Sequence, residues 1–346
     1  MKKMKVLAVL VAILLIAGAT TACGNPSAAP SESAAVSSAV ASDTAAAPAS
    51  SAAGETKKIK VGATYQALSV PYIVTLKDSC VAQAEKLGIE IITVDGQGDA
   101  AKQVGQVENF IAQQCDVIIL DPTDFNGCAP AVDEANKAGI PIVTLIQKVS
   151  NQDKTTTYVG SEAKQSGEIM AQMAVDDLGG KGNVVVIEGP MGSDAQIGRY
   201  SGIEAVINAN PGMKIIQKQA ANWDRATALS ITENWLQSGI QFDAVLAEND
   251  DMAMGALKAI QDTNMVGKIK VYGIDAIPEA LTAVQNGQMG GTVFQDAVAQ
   301  GIKVMEVVQM IAQGQTIESS YLIPYVGVRA SDVPKYLTTT EPSSSK

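Results

Sequence analysis

The chain has 346 residues, a formal net charge of −11 and 47% hydrophobic residues, and it contains no histidine. This length accommodates about two domains, and the acidic balance argues against nucleic acid as a partner, because a polyanion requires a basic surface. The absence of histidine from the sequence excludes Ser-His-Asp triads, Cys-His pairs, most zinc sites and haem held by histidine.

Residues 1–22 are predicted to form an export signal. Three lysines in the first five residues precede an apolar run from Val6 to Ala17, which is shorter than the ~20 residues that span a bilayer and is typical of a secretory signal. Small residues then lead to Cys23. This arrangement resembles a bacterial lipobox, in which the cysteine receives lipid and becomes the mature N-terminus. Thr20 replaces the usual leucine, so a plain signal peptide with an incidental cysteine is the alternative.

Residues 23–56 consist almost entirely of Ala, Ser, Pro, Gly and Thr. Such a segment buries too little apolar surface to offset the entropy that ordering would cost. It is predicted to be a flexible tether between a lipid anchor and a folded body, which places the protein on the outer face of the cell membrane. Residues 336–346 are predicted to be a flexible tail.

The folded body begins near Lys58 and alternates predicted strands with predicted helices. Near-continuous apolar strands separated by helices are typical of a parallel sheet that is covered on both faces. The strands of the first series are Ile59–Tyr65, Glu90–Val94, Asp116–Leu120 and Pro141–Leu145, and the helices are Pro71–Leu87, Ala100–Gln114 and Cys128–Ala138.

A second series follows the same pattern, so the sequence predicts an α/β fold with two doubly wound, Rossmann-like lobes. Because such sheets bind ligands beyond the carboxyl ends of their strands, two facing lobes would place a site in the cleft between them. The strands are Thr157–Gly160, Asn183–Glu188, Lys214–Gln219, Ala244–Ala247, Lys268–Gly273, Gly290–Phe294 and Tyr321–Tyr325, and the helices are Glu162–Asp177, Ala195–Ala209, Arg225–Ser238, Met252–Asp262, Glu279–Gln285 and Asp296–Gln313.

No familiar catalytic motif occurs in the sequence, so we expect that the protein is not an enzyme and that it binds no cofactor. The first strand is not followed by Gly-x-Gly-x-x-Gly, and Walker, Gly-x-Ser-x-Gly and His-Glu-x-x-His motifs are missing. Asp250 and Asp251 are neighbours on a predicted helix and point in different directions. No loop resembles a calcium-binding Asp-x-Asp-x-Asp-Gly sequence, so no metal is expected. Cys80, Cys115 and Cys128 are predicted to be unpaired, half-buried thiols.

Polar and aromatic residues follow the carboxyl ends of the predicted strands, where such folds contact ligands. A single Asp, Asn or Ser there is equally well explained as a helix N-cap. Capping does not explain aromatic rings at the same kind of position. The residues concerned are Tyr72, Ser161, Trp223, Asn249, Asp275 and Gln295.

Segments along most of the chain resemble the ribose-type, or type I, periplasmic binding proteins. They lie in order between Lys58 and Val328, and together they are far more specific than any one alone. The segments are Pro71–Asp78, Asp121–Asp124, Gly139–Thr144, Gly192–Ser193 with Arg199, Ala247–Ala256 and Val271–Asp275.

The resemblance implies a solute receptor that passes a sugar to the permease of an ABC importer. It also implies two lobes joined by three hinge strands, with crossings near Ser161, Gln295 and Pro324. The implied lobes are residues 57–161 plus 296–324 and residues 162–295 plus 325–335. We expect a monomer that binds no nucleic acid.

The same resemblance assigns ligand contacts to five residues. Tyr72 and Trp223 match rings that cover the two faces of the sugar, whose C–H surface they would bury. Asn249, Asp275 and Gln295 match side chains that hydrogen-bond the hydroxyls, which are costly to desolvate without a partner.

Several positions depart from the family pattern towards aliphatic residues. The family's Asp-Arg or Asn-Arg pair falls on Ile146 and Gln147, its other ligand-facing arginine on Ile197, and its second ring on Ile73, while Val70 replaces a common asparagine. Each lost charge-assisted hydrogen bond is worth about 1.5–3 kcal/mol. The predicted ligand is therefore not ordinary ribose but a sugar, polyol or deoxysugar-like molecule with fewer hydroxyls.

Two arrangements of the loop after the fourth strand remain open. Gln66 and Gln147 can supply amides that compensate for the missing charged residues. Alternatively, a shift of the loop by one residue brings Lys148 into the pocket instead.

Other functions make different demands on the sequence. A sugar-sensing receptor that feeds a membrane signalling protein is the alternative, and the sequence does not separate it from a transport receptor. A sugar-responsive transcription factor would need an N-terminal helix-turn-helix in place of the signal and tether. A sugar hydrolase would need two inward carboxylates about 5–10 Å apart, whereas Asp275 is the one good pocket candidate.

Overall fold

The computed structural model of the protein describes residues 58–337. The predicted export signal, the lipid attachment at Cys23, the tether and the tail beyond Leu337 lie outside the described residues. None of the helices between residues 58 and 337 combines the length and the apolar composition that a membrane-spanning segment needs.

The first lobe is built on a sheet that has six strands within the described range, all of them parallel. The strands are β1 (Lys60–Tyr65), β2 (Glu90–Asp95), β3 (Val117–Leu120), β4 (Ile142–Ile146), β5 (Thr157–Gly160) and β11 (Ser320–Leu322). Their order across the sheet is β11-β5-β4-β3-β1-β2. The helices that cover it are α1 (Pro71–Leu87), α2 (Ala100–Ala112), α3 (Ala129–Lys137) and α9 (Ala297–Ala312).

The second lobe repeats this architecture, again with six strands among the residues described. The strands are β6 (Lys181–Glu188), β7 (Gly212–Ala220), β8 (Ala244–Ala247), β9 (Lys270–Asp275), β10 (Gly291–Phe294) and β12 (Val326–Val328). Their order is β12-β10-β9-β8-β6-β7, and β12 runs antiparallel to β10. The helices are α4 (Ala163–Asp177), α5 (Asp194–Ala209), α6 (Arg225–Gln237), α7 (Asp250–Asp262) and α8 (Pro278–Gln285).

Local sequence signals account for the main elements. All residues of β3 and β8 are buried, as expected for central strands that helices cover on both faces. Helix α1 begins at Pro71, whose fixed φ suits the first helical position, and ends at Gly88 (φ 69°) in the left-handed conformation that glycine adopts without strain. Helix α2 follows Asp99, which accepts a hydrogen bond from the Lys102 N–H. The predicted α/β class with two parallel-sheet lobes is confirmed.

The chain passes between the two sheets at three places within the described range. These connections contain Ser161, Gln295 and Pro324. The predicted final strand Tyr321–Tyr325 is wrong, because the structure has two short strands there, β11 in the first sheet and β12 in the second. Pro324 lies between them, and a proline has no N–H to donate to a ladder.

The predicted flexible tail begins too early. The ring of Tyr336 lies 4.7 Å from that of Phe294, and Leu337 also packs against the hydrophobic core. Both side chains are half-buried, and burial of their apolar surface favours this packed position.

The three cysteines of the described part are unpaired, as predicted, but they are fully buried. Burial raises the pKa of the Cys80 thiol to about 12 and that of the Cys128 thiol to about 11. A thiol with such a high pKa is rarely ionised, and the thiolate is the reactive form. All three cysteines lie in the hydrophobic core, where a thiol packs as a small apolar side chain.

Helices α6 and α7 pack closely at Gly255. A Cβ atom built there would lie 2.2 Å from the carbonyl oxygen of Arg225, and backbone cannot move away as a side-chain tip can. We predict that Gly255→Ala lowers the free energy of unfolding by about 1–3 kcal/mol, measured by urea unfolding of the purified protein.

The matched control is Gly105→Ala in helix α2, where an added Cβ would meet no neighbouring described atom within 4 Å. Alanine should raise stability there by about 0.5–1 kcal/mol. Equal effects of the two substitutions would show that the close approach at Gly255 is not a constraint.

Candidate ligand-binding site

A cavity lies between the lobes, at the carboxyl ends of the strands of both sheets. Its empty volume is about 320 Å³, open solvent at its mouth included. The first lobe lines it with Gln66, Val70, Tyr72, Ile73, Ile146 and Gln147, and the second lobe and the hinge line it with Ala195, Arg199, Trp223, Asn249, Asp275 and Gln295.

The structure brings most of the sequence-predicted site residues together at this cavity. The cavity is lined by nine of them: Gln66, Tyr72, Ile73, Ile146, Gln147, Trp223, Asn249, Asp275 and Gln295. Ile197 and Ser161 do not line it.

Three of the lining residues have an unusual backbone conformation. Ile146 and Trp223 each have φ of 63°, and Asp275 has φ of 128°. This region is uncommon for residues other than glycine, and a β-branched isoleucine there is an outlier. The Trp223 ring is held in addition by Gly189, where an added Cβ would lie 2.0 Å from the ring. Strain of this kind persists only where surrounding contacts enforce it, and it clusters at functional sites.

Arg199 on α5 is a cavity residue that the sequence analysis did not place in the site. Its guanidinium donates to the carbonyl oxygen of Glu248 and, over 2.8 Å, to Oε1 of Gln295. It lies 3.8 Å from Oδ1 of Asp275 and 5.6 Å from the ring centre of Trp223. Arg199 therefore joins the ends of several strands of the second lobe in one buried cluster.

The assignment of Ile197 to the ligand-facing position is corrected by helix geometry. Residues four apart lie on the same face of a helix, whereas residues two apart differ by about 200°. Ala195 and Arg199 thus face the cavity together, and Ile197 faces away with a side chain that is 48% exposed. Ala195 and Arg199 lie on one helical face of the helix that begins after the N-cap Ser193, and this spacing is the sequence signal that could have identified Arg199.

Ser161 lies beside the cavity in a buried chain of hydrogen bonds. The Tyr72 hydroxyl donates to Oε1 of Gln300 over 2.9 Å, and Nε2 of Gln300 donates to Oγ of Ser161 over 2.9 Å. The Ser161 hydroxyl donates in turn to the carbonyl oxygen of Ile323 over 2.5 Å. Ser161 and Ile323 belong to two of the connections between lobes, so this chain links a cavity ring to the hinge.

Hydrogen bonds between the lobes settle the two arrangements of the loop after β4. Oε1 of Gln147 accepts from the Ala195 N–H over 3.1 Å, and the Lys148 N–H donates to Oδ2 of Asp194 over 3.1 Å. The Lys148 ammonium instead pairs with Glu162 at 2.7 Å. Gln147 therefore lines the cavity and Lys148 does not.

Residues 61–316 match the model of a family described as the periplasmic binding protein domain. The chain belongs to this family. The ribose import binding protein of Bacillus subtilis is 35% identical over 275 residues, which are 79% of this chain and 88% of that protein. The xylitol-binding protein of Mycolicibacterium smegmatis is 31% identical, over 84% of this chain and 83% of that protein.

Solved structures show the same relationship to the periplasmic binding proteins. An ABC transporter solute binding protein from Bacillus halodurans, solved with bound myo-inositol, matches with a TM-score of 0.80 and 34% identity. The match covers 83% of this chain and 99% of that chain. The resemblance to type I periplasmic sugar-binding proteins that the sequence indicated is confirmed.

Several buried N–H groups of this binding protein's cavity find no partner among the described residues. The side-chain oxygens Oε1 of Gln147 and Gln295 already accept hydrogen bonds from N–H donors. The side-chain nitrogens of the same two amides are the atoms without partners. The unpaired atoms on lining residues are Nε2 of Gln147, Nε of Arg199, Nε1 of Trp223 and Nε2 of Gln295. A buried donor without a partner is costly, and a ligand oxygen would relieve that cost.

Two buried carboxyl groups, those of Asp275 and Glu248, lie near the Arg199 guanidinium. Burial raises the pKa of Asp275 well above its usual value, although the nearby Arg199 opposes the shift. Burial likewise raises the pKa of Glu248, against a hydrogen bond from the Gly189 N–H. The buried Arg199 cation therefore lies near carboxyls whose ionisation burial disfavours.

Asp250, which follows the N-cap Asn249, supports the turn that carries Asp275. It accepts hydrogen bonds from the Ile277 N–H and the Thr292 hydroxyl. Burial nevertheless raises its pKa from 3.8 to about 7.

We predict that the free energy of unfolding of this binding protein falls as pH rises from about 4 to about 7. Asp250→Asn should make this fall with pH less steep. A raised native pKa means that the folded protein binds more protons than the unfolded chain between pH about 4 and about 7, so stabilisation by the protonated group is lost as pH rises. Urea unfolding of both proteins across this range measures the two slopes. Parallel profiles would contradict the assignment to Asp250.

Proposed function

We propose that this protein is an extracytoplasmic solute-binding component of an ABC importer that captures a sugar or polyol between its lobes. The observation that carries the proposal is the cavity itself, in which Tyr72 and Trp223 occur with hydrogen-bonding heads from both lobes. The chain is similar to proteins named for ribose and xylitol and to one solved with myo-inositol, which supports a sugar or polyol as the ligand.

The chemistry of the lining suits a neutral polyhydroxylated ring. Tyr72 and Trp223 would cover the C–H faces of the ring, and such contact contributes about 25 cal/mol per Å² of apolar surface removed from water. Asn249, Asp275 and Gln295 would bind the hydroxyls around the edge. The unpaired N–H groups of the lining would donate to hydroxyl oxygens, which accept as well as donate.

Binding by both lobes explains how a ligand would drive closure. A ligand shifts a conformational equilibrium only as far as it binds one state better than the other. Because the lining side chains come from two lobes, a ligand contacts all of them only when the lobes are closed. The closed form is then the one that the permease recognises.

The N-terminus supplies the location in this proposal. Cys23 would carry the lipid, and residues 24–56 would let the folded body move between the membrane surface and the permease. The protein would act as a monomer and would carry out no reaction on its ligand.

We expect at least one of ribose, xylitol and myo-inositol to raise the melting temperature of the purified protein. A ligand that binds only the folded state adds about 2.7 kcal/mol at a concentration of 100 times Kd. A thermal-shift titration measures the effect, and Trp223 fluorescence in a Trp235→Phe background reports binding at the cavity. If no sugar or polyol shifts either signal, the proposed function is wrong.

Arg199→Met is expected to weaken binding of the best ligand by about 10- to 100-fold, because each hydrogen bond to a charged group is worth about 1.5–3 kcal/mol. Isothermal titration calorimetry measures Kd, and circular dichroism checks that the variant is folded. Ile197→Ala, on the opposite face of the same helix, is the matched control and should leave Kd unchanged. A larger loss in the control would restore Ile197 as the ligand-facing residue.

A further inference from the structure

The two walls of the cavity differ in chemistry. The first lobe contributes a patch of three buried aliphatic side chains, Val70, Ile73 and Ile146, which we call the aliphatic wall, and it also lines the cavity with Gln66, Tyr72 and Gln147. None of the three aliphatic side chains has an atom that forms hydrogen bonds. The polar heads of the facing wall belong to Arg199, Asn249, Asp275 and Gln295.

Some backbone oxygens of the aliphatic wall already have donors within the protein. The carbonyl oxygen of Val70 accepts from the N–H groups of Ile73 and Val74, at 3.0 and 3.2 Å. The carbonyl oxygen of Ile146 shares the single hydrogen of the Tyr158 hydroxyl, at 2.7 Å, with that of Ser161, at 2.8 Å. A ligand hydroxyl against the aliphatic side chains would lose its water, and those side chains would offer no partner in its place.

The facing wall, in contrast, needs oxygen atoms from the ligand. The unpaired N–H groups of Arg199 and Gln295 lie on that wall, and the first lobe adds the unpaired amide N–H of Gln147. Hydroxyls are therefore favoured beside these N–H groups and disfavoured against Val70, Ile73 and Ile146.

We propose that the ligand is a deoxysugar, whose methyl or methylene group contacts Val70, Ile73 and Ile146 while its hydroxyls face the polar wall. This inference rests on the proposed function and narrows its ligand class. A hydroxyl buried without a partner lowers affinity by a factor of about 5 to 100. The same position filled by a C–H group gains from leaving water.

The test compares sugars that differ by one hydroxyl. The pairs are L-rhamnose with L-mannose, L-fucose with L-galactose, and 2-deoxy-D-ribose with D-ribose. Calorimetric titration of the full-length chain gives Kd for each sugar. In at least one pair, the deoxy member should bind about fivefold tighter or more than its parent.

A substitution in the aliphatic wall tests where the discrimination arises. Ile146→Asn adds an amide to the wall, and asparagine tolerates the φ of 63° found at this position. It should reduce the preference for the deoxy sugar by about tenfold, mainly by tightening binding of the parent. The matched control is Gln114→Asn. Gln114 is exposed, has a similar φ of 56° and is not among the residues that line the cavity, so this substitution should leave the preference unchanged.

The outcomes separate the two levels of the proposal. If a parent sugar binds as tightly as its deoxy partner in every pair, the deoxysugar inference is overturned and the proposed function stands. If the preference exists but Ile146→Asn does not alter it, the aliphatic wall is not its source. If no sugar or polyol binds at all, the proposed function fails and the inference fails with it.

Discussion

The arrangement of the cavity lining depends on the pairing of the buried Arg199 guanidinium with its neighbours. A buried cation is costly unless it is paired and hydrogen-bonded, and here the Glu248 carbonyl oxygen, Gln295 and Asp275 share that task. These partners lie at the carboxyl ends of three different strands of the second lobe, β8, β9 and β10, so one charge contacts three strand ends. The Trp223 ring beside it completes the cluster.

The repeat of strand and helix made the fold predictable from the sequence. Helix α1, strand β5 and strand β8 begin and end at the predicted residues, because apolar runs, Pro71 and Gly88 mark their limits locally. The last strand was not predictable in the same way. Tyr321–Tyr325 is a short apolar stretch in which a single proline divides two sheets, and the sheet that each half joins is decided by contacts distant in sequence.

The lining of the cavity was predictable near strand ends and less so on a helix. Tyr72 lies in the first turn of α1 and Asn249 follows β8, two elements whose limits the sequence marks. Asp275 is the last residue of β9, which ends two residues later than predicted. Arg199 and Ile197 differ by two positions on one helix, and the side that faces the cavity depends on how α5 packs. The departures from usual backbone geometry at Ile146 and Trp223 have no local sequence signal, because neither residue is typical of a positive φ.

The hydrogen bonds from Tyr72 through Gln300 and Ser161 to Ile323 connect a ring that lines the cavity to a segment that passes between the lobes. A side chain without a hydroxyl at position 72 would leave Oε1 of Gln300 without this donor. A substitution at this lining position therefore also changes the hydrogen bonding of a connection between the lobes.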